Sequence, residues 1–136
     1  MICISFNVRG FGGGPKFRAL KKLFLNNIVN VYFIQETMNL GTKACELILR
    51  ILKYWELCSL DVDGIYGGLV ATWNPSTYSF KPFRACTRIL LEGKFQGFEK
   101  YLHLLNVHAP YKDRRQFWDR LDVSGLLSLE NLVILT

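Results

Sequence analysis

Short apolar or alternating stretches recur along the chain, and this pattern is typical of β-strands. It predicts strands over residues 2–8, 31–35, 55–60, 67–74, 78–83, 86–93, 99–107 and 131–136. Apolar residues spaced three and four apart predict amphipathic helices over residues 15–29 and 42–54. The first strand, its helix and the next strand form a unit of about thirty residues, which is the size of a crossover connection.

A third helix is predicted to begin near Asp113. Asp113 is followed three residues later by Gln116, a spacing that resembles a capping box. The helix then carries Phe117, Trp118 and Leu121. We expect Trp118 to lie in the hydrophobic core.

A glycine-rich loop separates the first predicted strand from the first helix. Its consecutive glycines, Gly12, Gly13 and Gly14, cannot usefully extend a strand or a helix. A P-loop would need GxxxxGK followed by Ser or Thr, but Pro15 and Phe17 stand where Gly and Ser or Thr are required. We therefore interpret this loop as a flexible connection rather than a nucleotide-binding loop.

The composition fits one domain with a substantial core, because half of the 136 residues are hydrophobic. A net charge of +6 suits a polyanionic partner such as nucleic acid. The four cysteines include no CxxC pair, which argues against a zinc site and favours reduced thiols inside the cell. No apolar run reaches the roughly 20 residues of a membrane span, and we expect no secretory signal.

Polar side chains stand at the ends of the first two predicted strands. Glu36 is the first carboxylate of the chain and follows the apolar run 31–35, while Asn7 lies near the end of the first strand. A carboxylate placed where a buried strand emerges is well positioned for a metal ion or a phosphoryl group. These two strand ends carry the strongest chemical signal in the sequence.

The two histidines, His103 and His108, are five residues apart on one predicted strand. They therefore point to opposite faces and cannot ligate the same metal ion. We expect His103 to be a packing residue. His108 lies at the end of the strand, where lining a cleft and ordinary packing remain equally open.

Basic and aromatic residues cluster near the third helix. Arg114 and Arg115, with Tyr111 and Trp118 nearby, are candidates to contact a nucleic-acid backbone and to stack on a base. Arg9, after the first strand, is a further candidate for backbone contact. The alternative for the arginines is an exposed basic helix start, and we leave both readings open.

Four segments, in order, resemble one family: ISFNVRG at 4–10, VYFIQET at 31–37, GGLVATWNP at 67–75, and NVHAP at 106–110 followed by RQFW at 115–118. They are similar to the N-terminal half of the endonuclease/exonuclease/phosphatase superfamily. They resemble more closely the apurinic-type endonuclease domain of plant LINE-type (non-LTR) retrotransposon polyproteins. The resemblance implies a four-layered α/β sandwich, C-terminally truncated, with two mixed sheets face to face and helices outside. It also implies Mg²⁺-dependent cleavage of phosphodiester bonds in DNA, and hence nuclear residence.

The resemblance also implies roles for individual residues. Glu36 would ligate Mg²⁺, and Asn7 would join it at the metal site and orient the phosphate and the catalytic carboxylate. His108 falls where the family usually has a tyrosine that contacts phosphate. Phe6 replaces a frequent tryptophan, which is a mild change in packing.

Two later motifs of the family bear on catalysis. The Gly-Asp-x-Asn motif, whose aspartate activates water, would begin just after Thr136, and the Ser-Asp-His motif would follow later. Without the first, the loss of proton transfer alone would slow hydrolysis by ~10²–10⁴-fold. We therefore expect residues 1–136 to form a partial domain with impaired catalysis, without a membrane or an obligate protein partner. A basic fragment that binds nucleic acid without cutting, and a remnant without function, remain alternatives.

Overall fold

A computed structural model describes residues 1–10, 14–26, 28–38, 41–61, 68–85, 87–109 and 112–135. Its elements, in chain order, are β1 Cys3–Asn7, α1 Gly14–Asn26, β2 Val31–Gln35, α2 Gly41–Ile51, β3 Glu56–Leu60, β4 Leu69–Trp73, β5 Tyr78–Ala85, β6 Arg88–Phe95, β7 Leu102–Val107, α3 Arg114–Val123 and β8 Leu132–Leu135. A short 3₁₀-helix, Leu126–Ser128, lies between α3 and β8.

The strands form two four-stranded mixed sheets. The first sheet has the order β1-β2-β4-β3, with β1 parallel to β2 and the other neighbours antiparallel. The second has the order β5-β6-β7-β8, with β7 parallel to β8 and the other neighbours antiparallel. Each sheet therefore combines one parallel pair with two antiparallel pairs.

The two sheets pack face to face around one apolar layer. Its buried residues come from both sheets and are Val31, Phe33, Cys58, Leu69, Ala71, Trp73, Ile89, Leu91 and Leu104. Every residue of β2 and β4 is buried, because these central strands are covered on both faces. This double cover explains why β2 reads in the sequence as a continuous apolar run rather than as an alternating one.

The helices form the outer layers. Leu20 and Phe24 of α1, with Ala44 and Ile48 of α2, pack on the outer face of the first sheet. Leu121 of α3 packs on the outer face of the second sheet. The order helices, sheet, sheet, helix confirms the four-layered α/β sandwich.

The predicted elements are all present, with bounds that differ by a few residues. The largest shifts are at α1 and α2, which end at Asn26 and Ile51, and at β7, which begins at Leu102. The prediction of a capping box was wrong. Asp113 is the N-cap of α3, but its backbone is left-handed (φ 57°), and its side chain makes no capping hydrogen bond. A side-chain cap normally needs an extended N-cap residue, which explains the difference.

Cys3, Cys45 and Cys58 are free thiols, as expected, while Cys86 and the glycines Gly12 and Gly13 lie outside the described residues. Of the helices in the described ranges, none has the length and apolar character to cross a membrane.

Candidate functional site

The ends of β1 and β2 are held side by side by backbone hydrogen bonds. Asn7 is paired with Gln35 in the parallel register of the two strands. Beyond that pair, the N–H of Val8 donates to the carbonyl of Gln35 at 3.0 Å, and the N–H of Gly10 donates to the carbonyl of Glu36 at 2.7 Å. The two polar strand ends predicted from sequence are therefore neighbours.

The chain turns sharply after β1 and again after β2, where each strand leaves the sheet. Arg9 after β1, and Glu36 and Met38 after β2, have positive φ angles of 50°, 54° and 55°. Non-glycine residues with this backbone conformation are uncommon, and they cluster at sites where the surrounding structure fixes the chain. The N–H of Thr37 donates to the carbonyl of Gly68 at 3.3 Å, which ties this turn to the start of β4.

The two polar side chains sit in different environments. Glu36 is almost fully buried, with 3% of its surface exposed, whereas Asn7 is exposed. The Oδ1 of Asn7 accepts a hydrogen bond from the backbone N–H of Arg9 at 2.9 Å, which fixes the carboxamide. A buried carboxylate is costly unless charged or polar groups compensate it, so the position of Glu36 calls for such groups.

A cavity of about 270 Å³ lies at these strand ends. It is lined by Asn7, Gln35, Glu36, His108, Ala109, Arg114 and Trp118. The first three come from the first sheet, the next two follow β7 of the second sheet, and the last two come from α3. The cavity is thus built from both halves of the sandwich, and four predicted site residues (Asn7, Glu36, His108 and Arg114) meet there.

Two other predicted contacts are not part of this cavity. Arg9 and Arg115 are exposed but do not line the cavity, and Tyr111 lies outside the described residues. The carbonyl of Arg9 accepts a hydrogen bond from the Nζ of Lys16 at 2.8 Å, which links the turn after β1 to α1. Arg9 therefore has a structural role in the loop through its backbone.

The expectation that Trp118 lies in the core was wrong. The residue is 37% exposed and lines the cavity. Phe117 and Leu121 take the core-facing side of α3 instead. The sequence did carry a signal, because Trp118 follows Arg114 by four residues and so shares one face of the helix with it. Gln35 was also missed as a lining residue.

His103 is a packing residue, as predicted. It is buried, its Nδ1 lies 2.6 Å from the carbonyl oxygen of Glu130, and its Nε2 lies 3.3 Å from a carboxylate oxygen of Glu92. Each ring nitrogen therefore has a partner, and His103 is not among the residues that line the cavity.

The donor set of the cavity fits a weakly held magnesium ion. Among the described residues, no three His, Cys, Asp or Glu side chains lie together as a ready metal cage. The buried carboxylate of Glu36 and the carboxamide of Asn7 nevertheless offer oxygen atoms, which hard cations prefer. Mg²⁺ commonly uses one or two carboxylates and completes its shell with water and substrate phosphates. The residues present therefore fit Mg²⁺ bound together with a phosphate.

A larger cleft of about 370 Å³ lies between β1 and α1. Its lining is apolar apart from Lys16 and backbone groups of residues such as Gly10. It lacks a carboxylate among its described lining residues, so the smaller cavity is the better candidate for chemistry.

Solved structures match this chain, although no protein-family model and no curated protein does. D. rerio TDP2 complexed with single strand DNA product is 19% identical, with a TM-score of 0.68 over 97% of this chain and 57% of that one. The endonuclease domain of TRAS1, a telomere-specific non-LTR retrotransposon, is 6% identical, with a TM-score of 0.65 over 97% and 57%. An endonuclease/exonuclease/phosphatase from Bacteroides vulgatus is 9% identical, with a TM-score of 0.68 over 97% and 63%.

These likenesses confirm that the chain has the endonuclease/exonuclease/phosphatase fold. It spans roughly three fifths of the length of the three structures, between 57% and 63%. One of them is a complex with a single strand DNA product, and another is the endonuclease domain of a retrotransposon.

Proposed function

We propose that this chain binds the phosphodiester backbone of DNA in the Glu36 cavity, as a Mg²⁺-dependent domain of the endonuclease type with impaired cleavage. The observation that carries the proposal is the convergence of Asn7, Glu36, His108 and Arg114 on one cavity at the strand ends. The shared fold supports it, since one structure with that fold is a DNA complex and another is an endonuclease domain.

Glu36 and Asn7 are the residues that would hold the ion. When bound, Mg²⁺ would neutralise charge on the phosphate oxygens and polarise the phosphorus–oxygen bonds. The burial of Glu36 strengthens this role, because a carboxylate removed from water attracts a cation more strongly than an exposed one does. The turn that carries Glu36 is fixed by backbone bonds to Gly10 and Gly68, so the carboxylate is positioned before the ion arrives.

The remaining lining residues would bind the phosphate itself. Arg114 offers a planar guanidinium that can donate two parallel hydrogen bonds to phosphate oxygens. The Oδ1 of Asn7 accepts one hydrogen bond from Arg9 and keeps a second lone pair for the ion, while its Nδ2 can donate to the phosphate. His108 takes the place of a phosphate-contacting tyrosine and can donate through its ring N–H.

We propose that cleavage of the bound DNA is slow. Glu36 is the only carboxylate among the described residues that line the cavity. A carboxylate that holds the cation cannot at the same time remove a proton from the attacking water. His108 donates to the phosphate in this proposal, so none of the described lining residues is left to take that proton. Loss of proton transfer lowers the rate by ~10²–10⁴-fold in typical enzymes. We therefore expect DNA binding that is much stronger than cleavage.

We also propose a retroelement origin, for which the resemblance to plant LINE-type endonuclease domains and the structural likeness to TRAS1 are the support. A domain of that kind works on chromosomal DNA, so the proposal implies nuclear residence. Microscopy of the tagged chain in plant cells would test the location.

The test is a binding titration of a fluorescein-labelled abasic oligomer (tetrahydrofuran phosphate units) with and without Mg²⁺. We expect Mg²⁺ to tighten binding by the wild-type chain, and we expect Glu36→Gln to remove this response because a neutral amide attracts the cation weakly. The matched control is Glu46→Gln on α2, which makes the same change of charge at an exposed carboxylate. Circular dichroism of each variant verifies that the fold is retained.

An equal Mg²⁺ response in Glu36→Gln and the wild type would overturn the metal assignment. Nicking of supercoiled plasmid with Mg²⁺, measured beside the titration, separates cutting from binding. Rapid nicking abolished by Glu36→Gln would contradict impaired catalysis, whereas Mg²⁺-dependent binding with little nicking supports the proposal.

A further inference from the structure

Trp118 places an aromatic surface in a cavity that is otherwise mostly polar. It lines the same cavity as Glu36, and 37% of its surface is exposed. Single exposed aromatic residues are ordinary on protein surfaces and need no explanation. The position of Trp118 does need one, because it adjoins the phosphate-binding residues proposed above.

The ring of Trp118 contacts a residue that packs on the core. Its neighbour Phe117 meets it edge to face, with ring centroids 5.3 Å apart and an interplanar angle of 79°. Phe117 in turn packs against the cluster that contains the buried Leu121. A ring ordered in this way loses little conformational freedom when a ligand packs on it, which favours binding.

Arg114 and Trp118 lie one helical turn apart on α3 and both line the cavity. A cation for the backbone beside an aromatic ring for a base is the combination that proteins use to bind single-stranded nucleic acid. A base inside an intact duplex has both faces covered by its neighbours and cannot offer one to the ring without leaving the stack.

We propose that Trp118 stacks on an unpaired nucleobase next to the phosphate bound at Glu36, so that the site prefers single-stranded or locally opened DNA. This inference rests on the proposed function and deepens it, because it names the form of DNA that the cavity accepts. The cavity of about 270 Å³ lies just below the ~300–1,000 Å³ of typical sites for drug-sized ligands, which suits one nucleotide unit.

The test compares two oligomers of equal length in the presence of Mg²⁺: oligothymidylate, and the abasic oligomer that has the same phosphates without bases. We expect the wild-type chain to prefer oligothymidylate by about 5- to 150-fold, the range that corresponds to one stacked base. Trp118→Ala should bring the ratio of the two affinities close to one, and Trp118→Phe should keep most of the preference. Duplex thymidylate–adenylate should bind less tightly than oligothymidylate.

Tyr54→Ala is the matched control, because Tyr54 is an aromatic residue that is 89% exposed and does not line the cavity. It should leave the ratio unchanged. Quenching of tryptophan fluorescence by oligothymidylate gives a second measurement, and we expect it to be smaller in Trp118→Phe than in the wild type.

The outcomes separate the two proposals. If the abasic oligomer binds with a Glu36-dependent response to Mg²⁺ but bases add no affinity, stacking is overturned and the proposed function stands. The same holds if Trp118→Ala and Trp118→Phe both retain the full preference. If neither oligomer binds, both proposals are overturned.

Discussion

The Nε2 of Gln35 donates a hydrogen bond to the Oδ1 of Asn106 at 2.7 Å, and so joins the two sheets beside the candidate site. Gln35 ends β2 and directly precedes Glu36, while Asn106 lies on β7, two residues before His108. The same Nε2 also donates to the carbonyl of Val107 at 3.1 Å. Because Glu36 and His108 come from different sheets, their separation depends on this connection.

Breaking this connection should weaken both the fold and the site. Gln35→Leu leaves the buried Oδ1 of Asn106 without this donor, and the Nδ2 of Asn106 already has no hydrogen-bond partner in the described structure. We expect the free energy of unfolding to fall by about 1–3 kcal/mol, the usual cost of a buried polar group left unpaired. Urea denaturation measures this change, and the Mg²⁺ response of the variant should weaken with it.

A double-mutant cycle tests whether the two side chains act as a pair. We expect Asn106→Leu alone to be destabilising as well, and Gln35→Leu with Asn106→Leu to cost less than the sum of the single changes, because both buried polar groups are then gone. Strictly additive effects would show that the bond between the sheets carries no coupling energy.

Most of the fold could be predicted from the sequence because each element has its own apolar pattern. The strand at 31–35 was predicted with the bounds that the structure gives to β2. The arrangement of the layers came from the family resemblance, since periodicity says which face of an element is apolar but not what covers it.

The two wrong predictions at the third helix, for Trp118 and for Asp113, both depend on how α3 packs against the rest of the fold. Phe117, Trp118 and Leu121 have a spacing that fits one apolar face, but α3 docks so that Phe117 turns toward the core and Trp118 toward the cavity. Asp113 has the right residue type for a cap, but its left-handed backbone prevents the capping bond. Neither the docking angle nor this φ value can be predicted from local sequence.

The site was predictable where strand ends define it. Asn7 and Glu36 follow neighbouring strands, and the structure brings them together. Gln35 was harder to identify, because its partner Asn106 lies 71 positions away along the chain.

Gly68 is predicted to be essential for the turn that carries Glu36. Its φ is +106°, and a Cβ there would overlap the Oγ1 of Thr37, the residue after Glu36. Gly97 is the matched control, because its φ is +91° and no described atom lies within 4 Å of its would-be Cβ. Alanine at either position carries the backbone strain, but only Gly68→Ala adds the overlap. We therefore expect Gly68→Ala to be the more destabilising by about 1–3 kcal/mol in urea denaturation.

The steric cause can be isolated with a second change. Thr37→Ala removes the Oγ1 that the new methyl group would meet, so it should recover part of the loss in a Gly68→Ala background. Equal destabilisation by Gly68→Ala and Gly97→Ala would show that the overlap is relieved without cost.

We expect substitution of His103 to lower stability and substitution of His108 to weaken binding. His103→Ala removes a buried side chain and its contacts with Glu130 and Glu92, so we expect a loss of about 1–3 kcal/mol in unfolding free energy with the Mg²⁺-dependent binding intact. His108→Ala should leave stability nearly unchanged and weaken binding of the abasic oligomer, because its ring lines the cavity. Denaturation and titration of both variants distinguish the roles. Loss of binding in a folded His103→Ala chain would contradict them.

The raised pKa of the Cys3 thiol predicts how the free energy of unfolding changes at high pH. Burial raises the pKa of its thiol from 9.0 to about 11, because the thiolate is disfavoured away from water. Below pH 9 the thiol is protonated in both the folded and the unfolded chain, so its contribution is fully present. Between pH 9 and 11 the unfolded chain loses the proton first, so the free energy of unfolding should fall with rising pH.

Urea denaturation at pH 8, 9, 10 and 11 would show this fall in the free energy of unfolding. Cys3→Ala should make it shallower, because it removes the thiol whose pKa burial raises. Some slope should remain in Cys3→Ala, since burial also raises the pKa of Cys58 and of Tyr32. An identical pH dependence in the wild type and Cys3→Ala would show that the Cys3 thiol ionises as readily in the folded chain as in the unfolded one.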